Sequence, residues 1–331
     1  MIYFERILII TKCSYSSIRC TETSKAIHGG AMYRIDETRD REKRIMLIPA
    51  MLDAHFPLLR YAFYSRDYHP IVLENEKNIE EEGLHYVNND MCYPSILNVG
   101  QMIAALKSGT YDLSRTVLLM PQAGDACRGS NYVSVLRRAI KKAGVEVPVL
   151  SLNVKGLEKS EQVRIRLDMV WRALIAVVYG DLLMILTNQT IPYEKEPGAA
   201  IARRAYWFET LAEDLKKGRH LGLGSLKRRM REITADYRQI PLVEKKCKKV
   251  GFVGEVYIKY CHLGNWNMVD FLQKEGCECY VNGVLWYVLY YVDTHLVHEG
   301  GLMRAVIIML LQRSRLAVCR IRYAEEESIR H

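Results

Sequence analysis

Thr116-Val117-Leu118-Leu119-Met120-Pro121-Gln122-Ala123-Gly124-Asp125-Ala126-Cys127-Arg128-Gly129-Ser130-Asn131-Tyr132 is the stretch that decides the fold. A short continuous apolar run gives way to a turn rich in Gly, Asp and Ser, and a helical period then fills residues 131–143. A run of that length with no polar alternation fits a strand covered on both faces, as in a parallel sheet. Working outward, Arg44-Ile45-Met46-Leu47-Ile48-Pro49 and Pro70-Ile71-Val72-Leu73 are two more strands of the same kind, and residues 147–152 another. Helices are predicted over 54–65 and over 94–107, where Ile96, Val99, Ile103 and Leu106 recur at spacings of three and four. This alternation predicts an α/β fold made of Rossmann-like parallel sheet units with helices on both faces. Ligands of such sheets bind beyond the carboxyl ends of the strands. The Cys127 loop is therefore placed on the functional edge.

Four segments are expected: an irregular lead-in over 1–43, a first α/β unit over 44–155 holding Cys92 and Cys127, a helical middle segment over 156–244, and a smaller α/β unit with a C-terminal helix over 245–331. The middle segment shows its apolar stripe at Leu167, Val170, Leu174, Val177 and Val178. In the last segment, residues 249–258 read as a strand followed by a turn or further strand, 267–275 as a helix and 279–281 as a strand.

The 331 residues are 49% hydrophobic and 26% charged, an ordinary soluble composition that suits about two domains. The opening residues lack the order of a signal peptide. The longest apolar stretch, 173–186, contains Gly180 and Asp181 and falls short of the roughly 20 residues that span a bilayer. A cytoplasmic location and no membrane partner follow as expectations. Nine cysteines, an odd number, argue for free or metal-bound thiols in a reducing compartment rather than a disulfide framework. The net charge of +9 gathers in blocks near 34–44, 216–219, 227–231 and 245–249. These blocks lack the interleaved aromatics of a single-strand platform, so no nucleic acid is expected and the charges read as solvated faces and linkers.

Cys92, in Asn88-Asn89-Asp90-Met91-Cys92-Tyr93-Pro94, and Cys127 share a setting: each lies in a turn that leads straight into a helix. Unpaired amides and the helix dipole make that position favourable for a thiolate. Iron-sulfur ligation, a redox pair and plain buried cysteines all remain open from the residues alone. Cys261, in Tyr260-Cys261-His262-Leu263-Gly264-Asn265, is the next metal candidate, in a loop able to face the first unit. Cys277 and Cys279 flank Glu278 on one strand, but no second pair of ligands completes a zinc site. Gly251-Phe252-Val253-Gly254-Glu255 lacks the third glycine of a dinucleotide fingerprint, and Leu221-Gly222-Leu223-Gly224-Ser225 reads as a helix boundary. Neither a phosphate loop, a Gly-x-Ser-x-Gly elbow nor a His-Glu-x-x-His helix occurs. Glu255 and Asp125 stand at strand ends, where a cap is the commoner role.

Several separated segments together resemble the iron-sulfur component-like region of the 2-hydroxyacyl-CoA dehydratase and activase-related proteins. They are residues 47–51, 55–59, 88–94, 127–132, 149–153, 178–183, 188–190, 251–257 and 263–265, so the resemblance covers about 46–293. It implies α/β units clasping an iron-sulfur cluster, either 4Fe-4S or a double cubane, with Cys92 and Cys127 as ligands. It also implies an ATPase activator as partner and a low-potential electron delivered to a CoA thioester or another small substrate, in a lyase-like dehydratase or a reductase system. Two departures stand out. A downstream Gly-Cys-Leu-Pro-Asn-His type segment is lacking, with Cys319 in unrelated surroundings, and the chain carries no ATPase motif. The cluster is then incomplete in this chain or shared with another polypeptide, and self-association stays open. Two other readings remain: a non-catalytic fragment that keeps the fold and docks to an activator, and a thiol redox sensor.

Overall fold

The computed structural model describes residues 43–65, 67–88, 90–122, 128–153 and 167–287. Those up to Val281 belong to one compact unit, and Asn282 onward belongs to a second. The first unit begins with β1 (Arg44–Ile48), a four-residue helix α1 (Phe56–Leu59) tightening into a 3-10 turn at Arg60–Ala62, and β2 (Tyr68–Val72). Helices α2 (Ile79–Tyr86) and α3 (Tyr93–Lys107), strand β3 (Thr116–Gln122), helix α4 (Tyr132–Lys142) and strand β4 (Val149–Asn153) follow. The four strands form one parallel sheet in the order β2-β1-β3-β4, with Leu47 opposite both Ile71 and Leu118. The α/β expectation holds.

Strand alternation sends neighbouring residues into different cores. Leu47, Leu118 and Met120 pack with Val99, Met102, Ile103, Val133 and Leu136 on the face covered by α3 and α4. Met46, Ile48, Val117, Leu119 and Leu150 pack with Phe56, Ala62 and Phe63 on the other. All five strand residues of that second group are buried, which is why these strands read as continuous apolar runs.

Helix α1 is shorter than the 54–65 expected. Phe56 turns to the sheet while Leu58 joins a separate helical core, and one straight helix does not serve both. Helix α2 went unread in the sequence, although Glu80, Glu81 and Glu82 fill its first turn, where acidic side chains suit the helix dipole.

The middle layer consists of α5 (Leu167–Thr190), α6 (Ala199–Lys216) and α7 (Leu223–Tyr237), with Gly222 at the N-cap of α7 as its glycine pair led one to expect. Ile175, Ala176, Tyr179, Leu182 and Leu183 of α5 pack with Trp207, Leu211, Leu215, Ile233 and Tyr237. By length and composition the run Asp168–Tyr193 is apolar enough to cross a bilayer, longer than the 173–186 stretch singled out in the sequence. In this fold the buried side of the helix is Ile175, Ala176, Tyr179, Leu182 and Leu183, whereas Val170 and Leu174 of the expected stripe are exposed.

The chain then forms β5 (Lys248–Phe252), three short helices α8 (Val256–Tyr260), α9 (His262–Asn265) and α10 (Met268–Lys274), and β6 (Cys277–Val281), which pairs in parallel with β5. The expected extension of the strand toward residue 258 is instead a helix. Glu255 causes the switch: its carboxylate accepts hydrogen bonds from the amides of Tyr257 (2.9 Å) and Ile258 (3.2 Å), satisfying the first turn of α8. Glu255 is thus a cap.

Candidate functional site

From β1 the chain moves outward to β2 and then crosses to β3 on the far side of β1. The direction of winding reverses between β1 and β3, and the loops leaving their carboxyl ends flank the usual ligand crevice of an open parallel sheet. The loop after β1 is residues 49–55; residues 123–127, which follow β3 and include Asp125 and Cys127, lie outside the described residues, as do Cys13, Cys20 and Cys319.

Cys92 occupies the N-cap of α3, with extended backbone (φ −64°, ψ 147°), and its carbonyl accepts from the amides of Ser95 (2.9 Å) and Ile96 (3.2 Å). Pro94 sits in the first turn, where its missing amide proton costs nothing. The thiol is part-buried and stands 3.5 Å from the Tyr132 hydroxyl at the start of α4. Tyr132 ends the Cys127-Arg128-Gly129-Ser130-Asn131-Tyr132 segment. The two cysteine-bearing motifs therefore meet at this contact.

One and two turns further along α3, Ser95 and Asn98 are wholly buried, and neither side chain has a hydrogen-bond partner among the described residues. Gln101, on the next turn, is fully engaged: it accepts from the Ala50 amide (2.8 Å) and donates to the Asn75 carbonyl (3.0 Å), tying the loops after β1 and β2 together. An orphaned buried amide costs roughly 1–3 kcal/mol. Asn98→Leu, close in shape and without polar atoms, is therefore expected to raise unfolding stability by about 1–2 kcal/mol in a urea titration. A loss of stability would reveal a partner for the amide in the residues beyond those described.

The 49–55 loop carries two polar centres that sequence reasoning left unassigned. His55 is completely buried, its Nε2 lies 2.7 Å from Asp181 Oδ1 of α5, and the Tyr260 ring meets it edge-on with centroids 6.0 Å apart. Gly180 makes this approach feasible, because a Cβ there would stand 2.5 Å from the imidazole. Asp53 forms the second centre with Cys261 and His262, one ligand atom of each lying within 4.8 Å of the others.

Compared with family models, curated proteins and solved structures, the chain matches none of them.

Cys261, the third metal candidate, lies against the 49–55 loop, with Met51 and Tyr93 of α3 packed on the same cluster. It is buried among Ile79, Leu97 and Tyr257, and its thiol donates to the Ala50 carbonyl at 3.5 Å. Burial, and then the negative charge of Asp53, push this thiol well above its ordinary pKa. His262 shifts upward too: burial opposes the imidazolium, but hydrogen bonds and charge from Asp53 and then Glu76 outweigh it and raise the pKa to about 9. Among the described residues no other trio of His, Cys, Asp or Glu is drawn this close, and Cys92 is outside it. Cys277 and Cys279 lie on β6, where burial pushes the Cys279 thiol up to about 12. A surface concavity lined by Arg137, Lys141 and Glu146 borders the amino end of β4.

Sequence position alone hinted at little of this. His262 adjoins a candidate cysteine, yet residues 53 and 262 share no spacing rule. Their meeting depends on the tertiary fold.

Proposed function

We propose that the chain holds an iron-sulfur cluster on the carboxyl edge of its four-stranded sheet, with Cys92 and Cys127 as its own ligands. In the cytoplasm it would pass a low-potential electron, received from a partner ATPase activator, to a CoA thioester or another small substrate. The observation that carries this reading is the position of Cys92: a part-buried thiol at the N-cap of α3, touching the tyrosine that ends the Cys127 segment, beside the point where the sheet reverses its winding. The similarity of nine ordered segments to the dehydratase and activase-related proteins supplies the identity of the cofactor.

The residues fit such a group in part. A cubane takes four thiolates, or three when one iron is left open. Cys92 meets the Cys127 motif, and Cys261 stands within 4.8 Å of Asp53 and His262; the remaining ligands would come from further cysteines of this chain, another polypeptide, a second copy or the substrate. When bound, the cluster would supply one-electron chemistry. The chain would supply the ordered thiol of Cys92, the shielding wall of Tyr132, and backbone amides that favour anionic sulfur at a helix start.

A redox titration of the full chain, reconstituted anaerobically with iron and sulfide and followed by electron paramagnetic resonance, tests the assignment. A one-electron signal with a midpoint near or below about −400 mV, the ferredoxin range, is expected. A protein without any reducible centre would rule the reading out.

A further inference from the structure

Apart from the cysteine edge, one place in the fold gathers a thiol, a carboxylate and an imidazole. The backbone brings them together before the side chains act. The Asp53 amide donates to the Tyr260 carbonyl (3.0 Å), and the His262 amide donates to Asp53 Oδ2 (2.6 Å), so the loop after β1 is laced to the junction of α8 and α9. Within that lacing Asp53, Cys261 and His262 present oxygen, sulfur and nitrogen within 4.8 Å of one another. Zinc bonds of about 2.0–2.3 Å put tetrahedral ligand atoms roughly 3.3–3.8 Å apart. Small side-chain rotations therefore close the set around one ion.

A second observation concerns the imidazole. Nδ1 of His262 faces Asp53 Oδ2 at 3.0 Å, while Nε2 lies 3.1 Å from Glu76 Oε1, beyond β2. Glu76 is about half exposed and contributes nothing to the trio itself. Its carboxylate holds the far ring nitrogen as a donor, so that Nδ1, on giving up its proton, turns its lone pair inward. A carboxylate on the outer nitrogen is the usual companion of a metal-bound histidine.

The donor set selects the ion. Magnesium and calcium take oxygen ligands, whereas one sulfur, one nitrogen and one oxygen suit a borderline ion of the zinc type. A thiolate buried beside a carboxylate is costly unless a cation offsets both charges. We propose that Asp53, Cys261 and His262 form a mononuclear site for a divalent transition ion such as zinc, with Glu76 as the positioning residue and the fourth position open to water on the exposed side of Asp53. Binding releases the Cys261 proton and the Nδ1 proton of the His262 imidazolium to solvent and forms sulfur–metal and nitrogen–metal bonds, with no change in oxidation state. The site is independent of the iron-sulfur reading, because it uses a different thiol.

Cobalt(II) added to the full chain, stripped with chelator and kept under reductant, is the probe. One cobalt per chain is expected, with tetrahedral visible bands and a thiolate-to-cobalt charge-transfer band. Cys261→Ser removes the charge-transfer band. Glu76→Gln, a surface change that leaves folding intact, weakens binding about 10-fold or more while keeping the band. Cys92→Ser changes neither. A chain that gives no tetrahedral cobalt spectrum, or one whose charge-transfer band follows Cys92 rather than Cys261, would overturn the site. So would Glu76→Gln binding as tightly as the parent. Because Cys92→Ser removes the proposed iron-sulfur ligand and spares cobalt, failure of either reading is visible separately.

Discussion

Gly100→Ala is expected to destabilise the chain by about 3 kcal/mol, at the upper end of what overpacking usually costs. A Cβ at residue 100 would stand 1.8 Å from the Ile79 carbonyl oxygen and 2.7 Å from the Gly83 amide nitrogen. Both are backbone atoms, so no side chain can rotate away. The contact is reciprocal, since a Cβ at Gly83 would lie 2.2 Å from the Ile96 carbonyl oxygen. Helices α2 and α3 thus cross backbone to backbone, and widening the crossing shifts the first turns of α3, which carry Cys92, Ser95 and Asn98. Gly224→Ala is the control: it lies in α7 with open space around it, and alanine there should stabilise by about 0.5–1 kcal/mol through the unfolded chain. Urea midpoints of the two variants read the difference. Equal midpoints would mean that the crossing is looser than described.

Asp181→Ala is the second large change, with an expected loss of about 3 kcal/mol. The carboxylate accepts from a histidine with no exposed surface, and removing it strands the Nε2 proton inside the protein. The pair also ties α5 to the loop after β1, so the loss falls on the segment that carries Asp53. His55→Ala alone is expected to cost a similar amount, through lost packing against Tyr260 and the lost hydrogen bond to Asp181. The double variant should recover about 1–3 kcal/mol of the summed losses, because the two side chains act as a unit. Additive losses would show that they contribute separately.

Much of the sheet was legible because a parallel strand is apolar on both faces. Met46 and Leu47 enter different cores, yet both have to be apolar, so the run 44–49 announces a strand without revealing its neighbours. The helix-initiating place of Cys92 was legible for a similar reason: Pro94 two residues on marks the first turn. Helix α2 was missed because Gly83 interrupts its short apolar pattern, although that glycine is there to let α3 approach. The helix after Glu255 was missed because Val256, Tyr257 and Ile258 have strand-like preferences, and only the capping carboxylate tips them. Least legible was the trio of Asp53, Cys261 and His262. Two of its members sit some 200 residues from the third, and no periodicity links a β1 loop to a helix junction that far along the chain.

The proposed function rests on the thiols of Cys92 and Cys127. Iron and acid-labile sulfide should be counted after anaerobic reconstitution of the full chain, with Cys92→Ser, Cys127→Ser and Cys277→Ser treated alongside. Equal iron and sulfide in the parent and in Cys277→Ser, with both falling at least several-fold in Cys92→Ser and in Cys127→Ser, is the expected result. A colourless parent, or iron and sulfide that persist when Cys92 and Cys127 are replaced, would contradict it.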